Sequence, residues 1–425
     1  MPEAQSLRGQ VESLLPGGEA LVRTDAGVML VPDAVPGDVA ELAATGRRRG
    51  AERGKIVRLL EPSTLRVEAA CAAAAECGGC AMQYVDVAAQ PGIKSEWVHK
   101  AFGDFLDQDS AWIPVEGMPQ AGMRRRARWH RGQDAMGPFL GFHSRSSHQV
   151  VRASQCLAVH PDMDAMRLRL ETLLPPCIAS VRMIRLHDGM HVVFECEEGA
   201  EVPETEVFSD CIAVMHGELS IQPWLRAGVV LRPLIKPVQV LHDRLPAGKD
   251  WVELAVGPED FVQGHTEGNE AILRQIQAWA GKPRRIADLF CGIGNLSLPL
   301  AASCGANVIG ADVAESSIRH AVSNAKALGV RATFEALNLF EGVKSGDYAG
   351  ADVLLLDPPR KGARAICTAM GRLLPGTIIM VNCDIAAGAR DADILAAQGY
   401  RMSALRALDI FPFSGHVEAM SCWTR

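Results

Sequence analysis

A cysteine, a glutamate and two aspartates stand at the ends of strand-like runs. Val381-Asn382-Cys383-Asp384 closes an apolar run. A cysteine in that position is most often a small buried hydrophobe. As a thiolate, however, it is a nucleophile that can add to an electron-poor carbon and leave again. Such chemistry also needs a base within hydrogen-bond reach. Glu418, in Phe411-Pro412-Phe413-Ser414-Gly415-His416-Val417-Glu418, is the candidate, although a glutamate in a terminal strand is more often solvated. In Leu356-Asp357-Pro358-Pro359-Arg360, two prolines preset φ and hold Asp357 stiffly at a strand end.

A second constellation suits a nucleoside cofactor. Asp288-Leu289-Phe290-Cys291-Gly292-Ile293-Gly294-Asn295 joins a strand to a helix. Gly292 and Gly294 let the backbone turn and approach a ligand, and the helix that follows aims its N–H groups at it. The strand Val308-Ile309-Gly310-Ala311 then ends at Asp312, which is placed to hold two ribose hydroxyls. Asn338, after a short strand, is a candidate for adenine recognition. Taken singly, Asp288 and Asn338 suit capping or turn roles as well as ligand contact. The third glycine of the dinucleotide pattern is missing, since Ser297 stands there. That favours S-adenosylmethionine over a dinucleotide.

Cys71, Cys77 and Cys80 form a C-x5-C-x2-C cluster around Gly78-Gly79, and Cys156 is the next cysteine along the chain. Four thiolates suit an iron–sulfur cluster or zinc. Zinc sites more often use two C-x2-C knuckles, and one is present here. The spacing differs from the C-x3-C-x2-C of radical S-adenosylmethionine enzymes. Cys177, Cys196, Cys211, Cys304, Cys367 and Cys422 are read as core residues.

The elements that must position these groups fall into three stretches. Residues 1–60 hold short alternating runs separated by Pro16-Gly17-Gly18 and Pro36-Gly37-Asp38, the pattern of a small β-barrel. This stretch resembles a TRAM domain, an OB-like RNA-binding barrel. Residues 61–245 form a central α+β domain that carries the cysteine cluster. Residues 246–425 alternate strands and helices, as in a doubly wound, Rossmann-like parallel sheet whose ligands sit at the carboxyl ends of its strands. The whole chain, at 425 residues, is ordinary in composition for a folded protein, and its net charge is −7. That balance argues weakly against nucleic acid. Against it stand two basic clusters, Arg47-Arg48-Arg49 with Arg53 and Lys55, and Arg124-Arg125-Arg126 with Arg128 and Arg131. Either run could equally be a solvated face. With no signal-peptide pattern and no apolar run of membrane-spanning length, a cytoplasmic protein without a membrane partner is expected. Cytosolic thiols stay reduced, so the 12 cysteines are not a disulfide framework.

Taken together, Phe261-Val262-Gln263, Asp288 to Gly292, Asp357 to Arg360, Asn382-Cys383 and His416-Val417-Glu418 resemble the uridine-C5 RNA methyltransferase family. With the barrel and the cysteine cluster, the resemblance covers nearly the whole chain. It implies a Rossmann-like S-adenosylmethionine methyltransferase domain, with Gln263, Phe290, Asn295, Asp312 and Asn338 lining the cofactor pocket. Asp357 would face cofactor or uracil. It implies Cys383 as nucleophile at uracil carbon 6, Glu418 as acceptor of the carbon 5 proton, and a [4Fe-4S] cluster on Cys71, Cys77, Cys80 and Cys156. Members with both barrel and cluster resemble enzymes acting on 23S ribosomal RNA, so a monomeric enzyme of structured RNA, with the target base flipped out, is expected. Alternatives are a tRNA enzyme, an amino-methylating enzyme (Asp-Pro-Pro suits that too, though most adenine enzymes have an aromatic residue where Arg360 stands) and a non-catalytic RNA-binding iron–sulfur protein. The chain departs from the family at Asn382 and Asp384-Ile385, where Ser and Asn-Pro flank the cysteine, and at Gln263-Gly264-His265, where Gln-Val-Asn is usual. Acidic Asp384 is expected to raise the Cys383 thiol pKa.

Overall fold

The computed structural model describes residues 7–48, 50–117, 122–145, 147–217, 219–343 and 345–425, the side chains of 345 and 347 excepted. Residues 1–6 and Arg49 of the first arginine run lie outside the described residues. Leu7–Leu14, Ala20–Thr24, Gly27–Val31, Val39–Arg48 and Ala51–Glu61 close into a barrel. Alternation sends Val11, Val22, Met29, Val31 and Leu42 into its core. The Pro36-Gly37-Asp38 signal is structural. The buried Asp38 carboxylate accepts from Val35 N (2.8 Å) and Ser63 N (2.9 Å) and pairs with Arg66, tying the barrel to the segment that follows.

A seven-stranded sheet forms the centre, in the order Val230–Pro233, Ser220–Ala227, Gly189–Cys196, Ile178–Arg185, Arg126–Asp134, Gly137–His143, Val150–Val151. One face buries Trp129, Leu140, Val181 and Phe194 with Met163 and Met166 of the helix Pro161–Leu170. The other face carries Arg126, Arg128 and Arg182, a separation that follows from the period of two along a strand.

The C-terminal sheet has eight strands in the order Ala332–Ala336, Asn307–Asp312, Arg285–Leu289, Val353–Leu356, Thr377–Asn382, Glu418–Thr424, Arg401–Leu408, Ala111–Ile113. The first five run parallel, and Glu418–Thr424 is antiparallel to both its neighbours. Helices cover both faces, so Val353–Leu356 is buried throughout. Ala287, Leu289, Leu354 and Leu356 enter one core, and Ile286, Val353 and Leu355 enter the other.

The stretches expected from the sequence are shifted in two places. The hairpin Leu241–Ala247/Asp250–Val256 straddles the expected boundary at 245, and its Leu241, Leu245, Leu254 and Val256 join the core of the C-terminal unit. The helix Gln90–Phe102 and the strand Ala111–Ile113, expected in the central domain, also belong with the C-terminal sheet. The strand pairs in parallel with Ala404–Arg406, and Trp97, Val98 and Phe102 pack with Met402 and Leu405. Among the cysteines expected in the core, Cys211, Cys367 and Cys422 are buried, whereas Cys177, Cys196 and Cys304 are only half-buried.

The loop before Glu418 is where these parts meet. Lys94 Nζ, fully buried on the helix Gln90–Phe102, donates to Asp409 Oδ1 (2.6 Å) and to Phe411 O (3.0 Å). Gln90 accepts from Phe413 N (2.8 Å) and donates to Met82 O and Val85 O, and Met82 N donates to Phe413 O. On the barrel side, Gly17 N donates to Gly415 O, and a Cβ on Gly415 would lie 2.2 Å from Gly17 C. Lys94→Ala, which strands Asp409 in the core, is expected to cost about 3–5 kcal/mol. The fall in the urea midpoint measures it, and the paired variant Lys94→Met/Asp409→Leu should recover most of the loss.

Candidate active site

The strand Arg285–Leu289 turns at Phe290, which takes a positive φ of 71°, and at Gly292 and Gly294, with φ of 53° and 85°. Phe290 N and Cys291 N both donate to Ala311 O (2.9 and 3.0 Å), folding the turn against the next strand. Asp312, at that strand's end, accepts from Gly292 N (3.0 Å) and Ala314 N (3.0 Å). Asp288 is buried beneath the turn, with the hydroxyl and backbone N–H of Ser297 turned toward its carboxylate. Burial raises its pKa to about 7, and Asp312 adds to the effect. A buried acid under a glycine turn that a second acid, Asp312, holds through Gly292 N fits a polar cofactor such as S-adenosylmethionine.

The other expected cofactor residues divide. Phe290 faces Phe340 at a ring separation of 5.8 Å. Asn338 lines a neighbouring cavity of about 1080 Å³, but it also caps the turn Leu339–Glu341, accepting from Phe340 N (3.2 Å) and donating to Glu341 (2.6 Å). Asn295 exchanges two hydrogen bonds with Asn269 (2.9 and 3.0 Å), so its amide ties the glycine turn to the helix Thr266–Ala280. Gln263 donates to Asp357 Oδ2 (2.8 Å), joining the central side of the cleft to the proline loop.

Cys383 and Glu418 are neighbours through strand register. Asn382 pairs with Ala419 across two antiparallel strands, which places the next residue of one beside the preceding residue of the other. Both line a cavity of about 490 Å³ with Gln263, Arg360, Phe411 and His416. Burial pushes the Glu418 carboxyl up to about 8, and Asp357 reinforces it. The Cys383 thiol rises to about 12, first by burial, then by Glu418 and Asp357, with Arg360 opposing. Asp384, expected to be the acid acting on this thiol, has no part in the shift. Its carboxylate turns away to cap the helix Ile385–Ala397, accepting from Ala387 N (2.9 Å).

The Gln-Gly-His departure also has a local explanation. His265 caps the helix Thr266–Ala280, its ring nitrogen accepting from Gly268 N (2.9 Å) as an asparagine oxygen would. Sequence reasoning missed Phe411 and Arg182 as cavity residues. Phe411 was readable only as part of its motif, and Arg182 carried no signal.

Cys71, Cys77, Cys80 and Cys156 line a second cavity of about 500 Å³, which shares His416 and Arg124 with the first. Arg145 holds the cysteine loop by donating to Ala74 O (3.2 Å) and Cys80 O (3.3 Å) while pairing with Asp33 of the barrel (2.6 Å). Burial raises the thiol pKa of Cys77, Cys156 and Cys80, the last to about 11. Among the described residues, no three His, Cys, Asp or Glu side chains are placed to hold one metal ion.

A glycine turn and an acidic strand end at the carboxyl edge of a Rossmann-like sheet suit a nucleoside cofactor, and the match of the Methyltransferase domain model to residues 286–353 makes this a methyltransferase domain. The chain is 32% identical to the 23S rRNA (uracil(1939)-C(5))-methyltransferase RlmD of Aromatoleum aromaticum, over 98% of this chain and 99% of the relative. It is 30% identical to the protein of that name from Pectobacterium atrosepticum, over 98% and 93%. The chain therefore belongs to the 23S rRNA (uracil-C5)-methyltransferase family. Its fold matches that of the Pyrococcus abyssi tRNA (uracil-54, C5)-methyltransferase, solved with S-adenosyl-L-homocysteine, at a TM-score of 0.75 and 21% identity over 98% of this chain and 99% of that one.

One consequence of the His265 cap is a pH dependence. Burial lowers the His265 pKa from 6.5 to about 4. As pH falls through this window the unfolded chain takes up a proton that the native ring refuses, so stability declines between about 6.5 and 4. His265→Asn, which keeps the cap, should flatten that part of a stability–pH curve measured by urea unfolding.

Proposed function

We propose that this chain methylates carbon 5 of a uridine in 23S ribosomal RNA through a covalent Cys383 adduct, the target being the uridine named in its relatives, 1939. The observation that carries the mechanism is the pairing of a thiol and a buried carboxyl in one cavity, at the ends of adjoining strands. Cys383 Sγ, as thiolate, forms a bond to carbon 6, and the ring electrons shift to make carbon 5 nucleophilic. Phe290, Asp312 and Asn338 would hold S-adenosylmethionine, which when bound would supply the methyl group to carbon 5 by cleavage of its sulfonium S–CH3 bond, leaving S-adenosylhomocysteine. Glu418 then accepts the carbon 5 proton, the carbon 5–carbon 6 double bond re-forms, and the Cys383 thiolate is expelled. Raising the Glu418 pKa suits it to this task, since a base near neutrality both ionises and holds a proton. Arg360 is the cationic group that offsets the acids around Cys383. Asp357, steadied by Gln263, faces the cofactor or the uracil edge.

The barrel acts as a TRAM-like RNA grip and, with the arginines of the central sheet, holds the RNA backbone. Cys71, Cys77, Cys80 and Cys156 hold a [4Fe-4S] cluster that braces the cysteine loop. The four thiols line one cavity, and their spacing, with a single C-x2-C knuckle where zinc sites more often have two, suits a polynuclear core better than zinc. Anaerobically purified protein should contain about four irons per chain by metal analysis, and Cys156→Ser should lose most of them. Zinc in their place would overturn the assignment.

The mechanism is tested with 23S transcript carrying 5-fluorouridine. Fluorine cannot leave as a proton, so wild type should form an adduct that survives a denaturing gel and Cys383→Ala should not. Glu418→Gln should accumulate the adduct on ordinary RNA, with turnover reduced by about 10²–10⁴. An adduct with tRNA alone would reassign the substrate. An adduct with neither RNA would remove the covalent mechanism.

A further inference from the structure

The Cys383 cavity holds more positive charge than the chemistry above requires. Arg126 and Arg128 of one strand and Arg182 of its neighbour line it. Their meeting is dictated by register: Arg182 sits directly across from Arg128, and Arg126 one side-chain step along the same face. The Arg182 side chain is 10% exposed, yet its Nε and Nη2 have no hydrogen-bond partner. Its nearest acid is Glu195, 3.6 Å from Nε and beyond hydrogen-bond length. Glu195 is already engaged elsewhere. Arg128 Nε lies 2.9 Å from one oxygen and Arg128 Nη2 2.9 Å from the other, and the Ser180 hydroxyl donates at 2.5 Å. Arg126 stacks over the Phe261 ring at 5.1 Å and has no acidic partner among the described residues.

A buried guanidinium whose one acid is shared and lies beyond hydrogen-bond length leaves donors unmet, which is costly, and natural proteins retain such groups where a ligand completes them. A planar fork of N–H donors suits a phosphate or carboxylate oxygen pair. Aromatic stacking fixes the plane of Arg126, and the cross-strand pairing fixes the bases of Arg128 and Arg182. We infer that Arg182, with Arg126 beside it, forms an anion subsite in the wall of the Cys383 cavity that takes a phosphodiester adjoining the flipped uridine. The inference rests on the proposed RNA reading. The subsite would give a docking contact without base choice, holding the nucleotide while Cys383 reaches carbon 6. Arg182 is thus a positioning residue rather than a catalytic one.

The test uses the full-length enzyme and 23S fragments in which single phosphates flanking the target uridine are replaced by neutral methylphosphonates. In wild type, one such position should lower kcat/KM about tenfold, the worth of a charge-assisted hydrogen bond. Arg182→Gln should show a similar loss on unmodified RNA and no further loss on the methylphosphonate. Its log K against log salt slope should be shallower by about 0.7–0.9, with S-adenosylmethionine affinity unchanged. Arg182→Lys, which retains charge but not the fork, should keep the salt slope and recover part of the rate, so it also serves if the glutamine variant folds poorly. An unchanged methylphosphonate penalty in Arg182→Gln or in Arg182→Lys, or no penalty at any flanking phosphate in wild type, would overturn the subsite. Failure of the uridine reading registers separately, as absence of the 5-fluorouridine adduct in wild type, and would take the subsite with it.

Discussion

The buried ion pair between Lys94 and Asp409 is the constraint on which the remaining geometry depends. It fixes the start of a loop whose successive residues reach a different part of the molecule in turn: Phe411 toward Arg124 of the central sheet, Phe413 toward Gln90 and Met82, Gly415 toward the barrel, and His416 into both cavities. Glu418 begins the strand immediately after. Replacing a buried pair by apolar residues is often neutral for stability. Its value here lies in direction, since two charges with one good geometry admit fewer loop conformations than two leucines.

Burial favours the neutral form of each acid at or near the Cys383 cavity. Asp288, Asp357 and Glu418 are all raised by burial, and Cys383 is raised in turn by two of them. Arg360 is the counterweight among the acids, while the arginines of the central sheet stand on the opposite wall. The charges within the cleft are therefore segregated, acids toward the C-terminal sheet and cations toward the central one. In the proposed reaction a polyanionic substrate would meet the cationic side, and the ring to be attacked the acidic side.

How much of this was legible in the sequence depended on the range of the interactions involved. The glycine turn, Asp312 and the strands around them were readable because they are local: a strand, a turn and a helix encoded within one short span. Cys383 and Glu418 could be picked out as strand ends, but only antiparallel register brings them together. Arg182 was invisible because its meaning arises across a strand pair, with nothing nearby in the chain to mark it. The boundary at 245 was misplaced because a hairpin crosses it, and Ala111–Ile113 was assigned to the wrong unit because a three-residue edge strand has no signature of its own. Asp384 was misjudged because adjacency in sequence says nothing of direction; the helix cap turns its carboxylate away.

The contact between Gly17 and Gly415 has a further consequence. Backbone meets backbone there, with no space for a side chain on Gly415, so the barrel is seated on the loop leading to Glu418 and not tethered at a distance. A flexibly linked domain would accept RNAs of many shapes. A seated one would behave as a caliper under the proposed function: an RNA held by the barrel and reaching Cys383 would have to present those two features at one fixed interval. Selection among folded RNAs would then rest on measured length, with no base read along the way.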